Sequence, residues 1–171
     1  MMKRIRNKQK WLARGDDWIH AQNISWQLLY GRSFDNQKDP VIRQETQAKM
    51  FIQSLVKYKA VELVYSSISV EEIDGIPFEE NRSSIFDFVN NNANFYIGEH
   101  DDEAEILLTK EIMQTGIKLK DASHTACAIM AKCDYMITTD KRLIKYEDTR
   151  IKIVNPIEFA EIWRELYDVQ A

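Results

Sequence analysis

Short β-rich runs alternate along this chain with longer amphipathic stretches, and that alternation is what most narrows the folds open to it. After Pro40, the residues Val41, Ile42, Ala48, Phe51, Ile52, Leu55 and Val56 recur near a helical period as far as Lys57, which gathers them on one face of a helix. Residues 60–65 form a β-rich run bounded by Ser66 and Ser67, read as a buried strand. Ser69 with Glu72 three positions on has the S-x-x-E form of a capping box, so a short helix is expected to start at Ser69 and to end before Gly75 and Pro77. A further helix is expected over 78–90, followed by a polar break over 90–94.

The second half continues the pattern. Residues 102–115 read as a helix with acids in its first turn and Gly116 as its stop. Over 120–132, Ala122, Ala126, Ile129 and Cys133 fall at i, i+4, i+7 and i+11, the spacing of a core-facing stripe. Residues 135–138 read as a strand, 140–146 as a helical turn and 151–154 as a last strand. Asn155 then caps a final helix with Pro156 at its first position. Strands alternating with helices imply a parallel sheet with helices on both faces, and sites in such sheets form beyond the carboxyl ends of the strands. With five glycines, three prolines, no repeat and no low-complexity tract, 171 residues fit one α/β domain.

Composition bounds the function. Lys and Arg number 23 against 27 Asp and Glu, a small acidic surplus that argues against a uniformly basic duplex-binding surface but leaves room for a local basic patch. Cys127 and Cys133, the only cysteines, lie in an apolar stretch without metal-ligand spacing and read as buried thiols of a reducing compartment. The first ten residues carry five basic side chains and read as a frayed tail rather than a nucleic-acid arm. Arg14, Asp16 and Asp17 deny them the apolar core of a signal peptide. The uncharged run from Trp18 to Gly31 is too short and polar to cross a bilayer. A soluble, cytoplasmic protein is expected, with no membrane partner.

Three acids stand at strand ends or helix starts: Glu72, Asp121 and Asp140. In a parallel sheet they can meet at one edge. Converging carboxylates repel unless a cation neutralises them, and hard oxygen ligands select Mg²⁺ or Mn²⁺. Such a site supports metal-assisted hydrolysis of a phosphodiester. Pattern alone favours a plainer reading, because helix starts far outnumber metal sites: Glu72 as the far member of a capping box, Asp121 and Asp140 as helix caps, or acids that never meet.

The surrounding residues separate these readings. Leu119-Lys-Asp-Ala-Ser-His-Thr-Ala-Cys-Ala128 and Cys133-Asp-Tyr-Met-Ile-Thr-Thr-Asp-Lys-Arg-Leu143 resemble the K-D-A-x-H-x-A-x-A helix and the c-D-y-f-i-T-t-D-k strand and turn of the PIN domain family. Tyr65-Ser-Ser-Ile-Ser-Val-Glu-Glu-Ile73 resembles its S-x-x-x-x-x-E-I element, with Ser66 and Glu72 in register. Val154-Asn-Pro-Ile-Glu-Phe159 resembles its closing v-n-P-x-x-F, and Arg32-Ser-Phe-Asp-Asn-Gln37 the R-P-F-D-D-Q stretch of one bacterial branch.

The resemblance implies a three-layer α/β/α fold with a central parallel sheet over 24–171, preceded by an atypical segment over 1–23. It implies a Mg²⁺- or Mn²⁺-dependent endoribonuclease, often the toxin of a toxin–antitoxin pair. RNA, an antitoxin protein and a second copy of the chain would be its partners. Glu72, Asp121 and Asp140 look like three of the family's four acidic metal-site residues, and Thr138 like the hydroxyl beside the last. Lys141, Arg142 and Lys145, with Arg150 and Lys152 behind them, form a basic cluster suited to phosphate, or else a solvated face. His124, one turn after Asp121, reads as a hydrogen-bonded helix histidine or as a group that orients Asp121 or touches phosphate. Phe159, Ile162 and Trp163 read as core or dimer face.

The chain departs from the family at its start. The expected first Asp falls in register on Trp26, and no acid lies between Asp17 and Asp35. Asp35, Asp16 or Asp17 are the available substitutes. A PIN-like nucleic-acid or protein binding module with impaired catalysis is therefore the alternative function.

Overall fold

The computed structural model describes residues 21–22, 38–98 and 102–167. Its elements, in chain order, are β1 (Ala21–Gln22), α1 (Pro40–Lys57), β2 (Val64–Ser66), α2 (Ser67–Asp74), α3 (Glu79–Asn92), β3 (Phe95–Ile97), α4 (Glu103–Met113), α5 (Leu119–Met130), β4 (Tyr135–Ile137), α6 (Lys141–Ile144), β5 (Lys152–Val154) and α7 (Pro156–Tyr167). The fold is mixed α/β. The five strands form one sheet in the order β3-β2-β1-β4-β5, and every pairing is parallel. The chain therefore moves outward from β1 through β2 to β3, then returns to the other side of β1 with β4. Such a reversal splays the connections apart and opens a crevice at the carboxyl ends of the strands.

Side chains of successive strand residues enter different hydrophobic clusters. Ile137 and Val154 join Ile52 and Val56 of α1, Ile85 and Val89 of α3, and Phe159 of α7. Their neighbours Met136 and Ile153 join Ala128 of α5 and Leu143 of α6. This is the period of two that a strand imposes, and it explains why strands of only three residues hold their register: a slip of one would exchange both sets of contacts. A third cluster, Ile112 with Ala122 and Ala126, packs α4 on α5. As small residues, those alanines bring the two helix backbones close. Trp163 packs against the first cluster, as does Tyr135, whose ring meets Phe159 edge-on at 5.3 Å.

Helix ends follow the expected chemistry in most places. Asp39 Oδ1 accepts from Val41 N at 2.8 Å ahead of Pro40. Asp102 Oδ1 accepts from Ala104 N at 2.9 Å, and Asn155 Oδ1 accepts from Glu158 N at 2.9 Å. Gly116 takes φ +94°, the left-handed conformation that its expected role as a stop requires. Both cysteines are buried thiols outside any disulfide, and burial pushes their pKa values up.

Four differences from the sequence-based expectation have physical causes. The strand expected over 60–65 is confined to Val64–Ser66, because Lys59 turns the chain at φ 60° and Leu63 N donates to the Asn94 side chain rather than to a strand. The capping box lies one turn early: Ser66 caps α2 with Ser69 as its partner, so Glu72 plays no capping part. Strand β3, which the polar break over 90–94 concealed, follows at Phe95–Ile97. Strand β1 at Ala21–Gln22 sits in the middle of the sheet, just ahead of residue 24, where the family-like stretch was expected to begin. Trp26 and the candidate substitutes Asp16, Asp17 and Asp35 lie outside the described residues. No described helix is long and apolar enough to cross a membrane.

Candidate metal centre

Glu72, Asp121 and Asp140 reach the carboxyl-end edge of the sheet by three separate routes. Ser66 ends β2 and caps α2 at once, buried completely and paired with Ser69, so α2 leaves the sheet at a set angle and carries Glu72 on its last turn. Asp121 stands in the first turn of α5. That helix is anchored on β4 by Thr125, whose hydroxyl donates to the Asp121 carbonyl at 2.8 Å and lies 3.5 Å from Met136 Sδ. Asp140 follows β4 and caps α6: its Oδ1 accepts from Arg142 N at 2.7 Å. Thr138, buried between them, accepts from Asp140 N at 3.1 Å. The cap reading of Asp140 thus holds together with its place at the edge. Asp121 is not a cap, since Lys118 occupies that position.

The three carboxylates sit in different electrostatic settings. Asp140 is held below its ordinary range by the Arg142 guanidinium at 3.2 Å and the backbone N–H groups of α6, despite partial burial. Burial alone would raise Glu72, but His124 and Lys120 outweigh it and hold the carboxyl low. Lys120 Nζ lies 3.3 Å from Oε1 and His124 Nε2 lies 3.4 Å from Oε2. The histidine contact on Oε2 is longer and less well aligned than an ideal hydrogen bond. Asp121 alone is shifted upward, by burial first and then by the charge of Asp140, with Glu72 adding to it and His124 and Arg142 opposing. A buried carboxylate with a second carboxylate as its strongest charged neighbour is a group whose charge a cation would relieve.

The donor set suits a hard cation that keeps much of its water. Asp121, Asp140 and the Thr138 hydroxyl are all oxygen donors, and Mg²⁺ needs only one or two carboxylates besides waters and substrate phosphate. Glu72 is engaged by Lys120 and His124, and among the described residues no three His, Cys, Asp or Glu side chains gather within reach of one ion. Asp121 and Asp140 are near enough for each to feel the other's charge, and Glu72 stands beside them on its own basic partners.

The basic cluster divides. Lys141, Arg142 and Lys145 are exposed on and beside α6, next to Asp140. Arg150 is drawn to the amino end of β5, where it pairs with Asp148 at 2.7 Å and Glu111 at 2.9 Å. Sequence reasoning passed over Lys120, the partner of Glu72; its one signal was its place immediately before Asp121 in the K-D-A motif. His124 faces Glu72 more directly than Asp121. An open groove of about 570 Å³ along Glu79, Glu80 and Asp87 of α3 includes none of the three acids.

No protein-family model matches the chain, and no curated protein matches it. The family reading therefore rests on the motifs quoted above.

Proposed function

We propose that the chain is a Mg²⁺- or Mn²⁺-dependent endoribonuclease of PIN-like, three-layer α/β/α build. The observation that carries this reading is that Asp121 and Asp140 stand together at the edge where the strand order reverses, with Asp121 raised above its ordinary value by burial first and by the charge of Asp140 second. When bound, the cation supplies Lewis acidity at the scissile phosphate and lowers the pKa of an attacking water. Asp121 and Asp140 would hold it, with Thr138 setting the approach of Asp140 and Glu72 completing the acidic edge. Lys141, Arg142 and Lys145 would position the RNA backbone, a role that carries affinity and register rather than sequence choice. As the toxin of a toxin–antitoxin pair, the protein would act in the cytoplasm, met by an antitoxin protein and by a second copy of itself.

A second reading, a PIN-like binding module without catalysis, draws on two specific features. The first acid of the family pattern is missing near Trp26, and Glu72 is already engaged by Lys120 and His124. One pair of measurements separates the readings. Cleavage of RNA by purified protein in Mg²⁺ or Mn²⁺ should fall about a hundredfold or more in Asp121→Asn, beyond the loss that even a ligand's outer partner brings. Equal cleavage by both proteins sinks the nuclease reading. Calorimetric Mn²⁺ binding that requires Asp140 supports the site, and its absence together with absent cleavage supports the module.

A further inference from the structure

We propose that Lys120 is an exchangeable counter-ion for Glu72, holding that carboxylate while no divalent cation is present and yielding it when one binds. The inference rests on the reading of Glu72, Asp121 and Asp140 as a cation site. Each oxygen of Glu72 faces a different nitrogen: Oε1 faces Lys120 Nζ at 3.3 Å and Oε2 faces His124 Nε2 at 3.4 Å. The two nitrogens differ in freedom. The His124 side chain is 7% exposed and is carried on the buried face of α5, so it cannot withdraw unless packing opens. The Lys120 side chain is 53% exposed, on a flexible four-carbon stem, and swings into water without losing its charge. Oε1 is therefore the oxygen that can be released.

Position and strength agree with exchange. Lys120 directly precedes Asp121 on α5, while its ammonium reaches across to Glu72, whose charge Asp121 feels. An exposed ion pair is weak, whereas a dication brought to Asp121 and Asp140 would repel the ammonium and attract Glu72 with twice the charge. His124 would keep Glu72 aimed at the site throughout, which makes it a positioning residue.

Calorimetric titration of MnCl₂ into the 171-residue chain tests this, with unbound Mn²⁺ followed by electron paramagnetic resonance. Lys120→Met should bind Mn²⁺ about three- to fivefold more tightly than Lys118→Met, which removes the same charge two residues earlier. Lys120→Gln should repeat that gain without placing an apolar side chain at the surface. In a Glu72→Gln background the gain should disappear, because the released partner is gone. Lys120→Met binding no more tightly than Lys118→Met, while wild-type binding still requires Asp121, overturns the exchange and leaves the cation site standing. Wild-type chain showing no Mn²⁺ binding that requires Asp121 overturns both.

Discussion

The two ends of the sheet hold acidic groups in opposite states of balance. At the amino end of β5, Asp148 is almost enclosed, with 5% of its side chain exposed, and every approach is matched by a donor. Arg150 gives it a bidentate contact at 2.9 and 2.7 Å, the Arg150 backbone N–H a third at 2.8 Å, and the Tyr146 hydroxyl a fourth at 2.8 Å. Arg150 also reaches Glu111 of α4. Asp148 is accordingly held far below its ordinary range, while burial and its charge push the Tyr146 phenol up to about 12. At the carboxyl end, Asp121 is shifted the other way. A closed network of this kind is a structural pin, whereas a carboxylate held above its ordinary range by burial and a neighbouring acid costs stability when ionised.

The comparison can be broken at its amino end first. Arg150→Met leaves Asp148 buried without its bidentate partner, a change worth about 1–3 kcal/mol of unfolding free energy. The lower part of that range is expected because Arg150 is itself 40% exposed. Urea unfolding measures the loss, and cleavage and Mn²⁺ affinity of the surviving folded protein should not move. A variant as stable as wild type would show that the network is idle.

Acid sharpens the same contrast. Asp148 has a folded pKa depressed below its ordinary 3.8, so its contribution is present above that value and is lost as pH falls through the folded pKa. The stability gap between wild type and Arg150→Met should therefore hold from neutral pH down to about 4 and close only below it. Urea titrations at stepped pH follow the gap, and a gap that closes above pH 5 would mean that another group governs it.

What could be read in advance depended on how local the cause was. Helices α1, α5 and α7 were legible within a residue or two, since their apolar stripes lie inside the segments themselves. Strand β3 was not, because three residues after an Asn-rich helix end carry no period; its place comes from pairing with β2 across thirty residues of chain. Asp140 was legible in both its roles, as a cap and as an edge acid, because both follow from its position after β4. The partner of Glu72 was hidden: Lys120 meets it only because α2 and α5 flank the same edge, and no local pattern joins residues that far apart. The shifted capping box shows the same limit, since Ser66 and Ser69 satisfy the motif as well as Ser69 and Glu72 do, and burial of both serines decides it.

The smallest effect is the most discriminating one. Asp121 has a folded pKa above its ordinary 3.8, so the folded chain binds that proton more tightly than the unfolded chain does. Ionised Asp121 therefore costs stability at neutral pH, and the cost is relieved as pH falls through the raised pKa. Asp121→Asn keeps the shape and removes the charge, so without divalent ions it should melt above wild type, by less than about 1 kcal/mol given the partial exposure of the site. That gain should begin to fade above pH 3.8, in a higher window than the loss of the Asp148 network. Saturating Mn²⁺ should then raise the melting temperature of wild type and leave Asp121→Asn unmoved, because a ligand stabilises only the fold that binds it. A mutant less stable than wild type at neutral pH would mean that Asp121 is balanced after all, and that the two ends of the sheet are built alike.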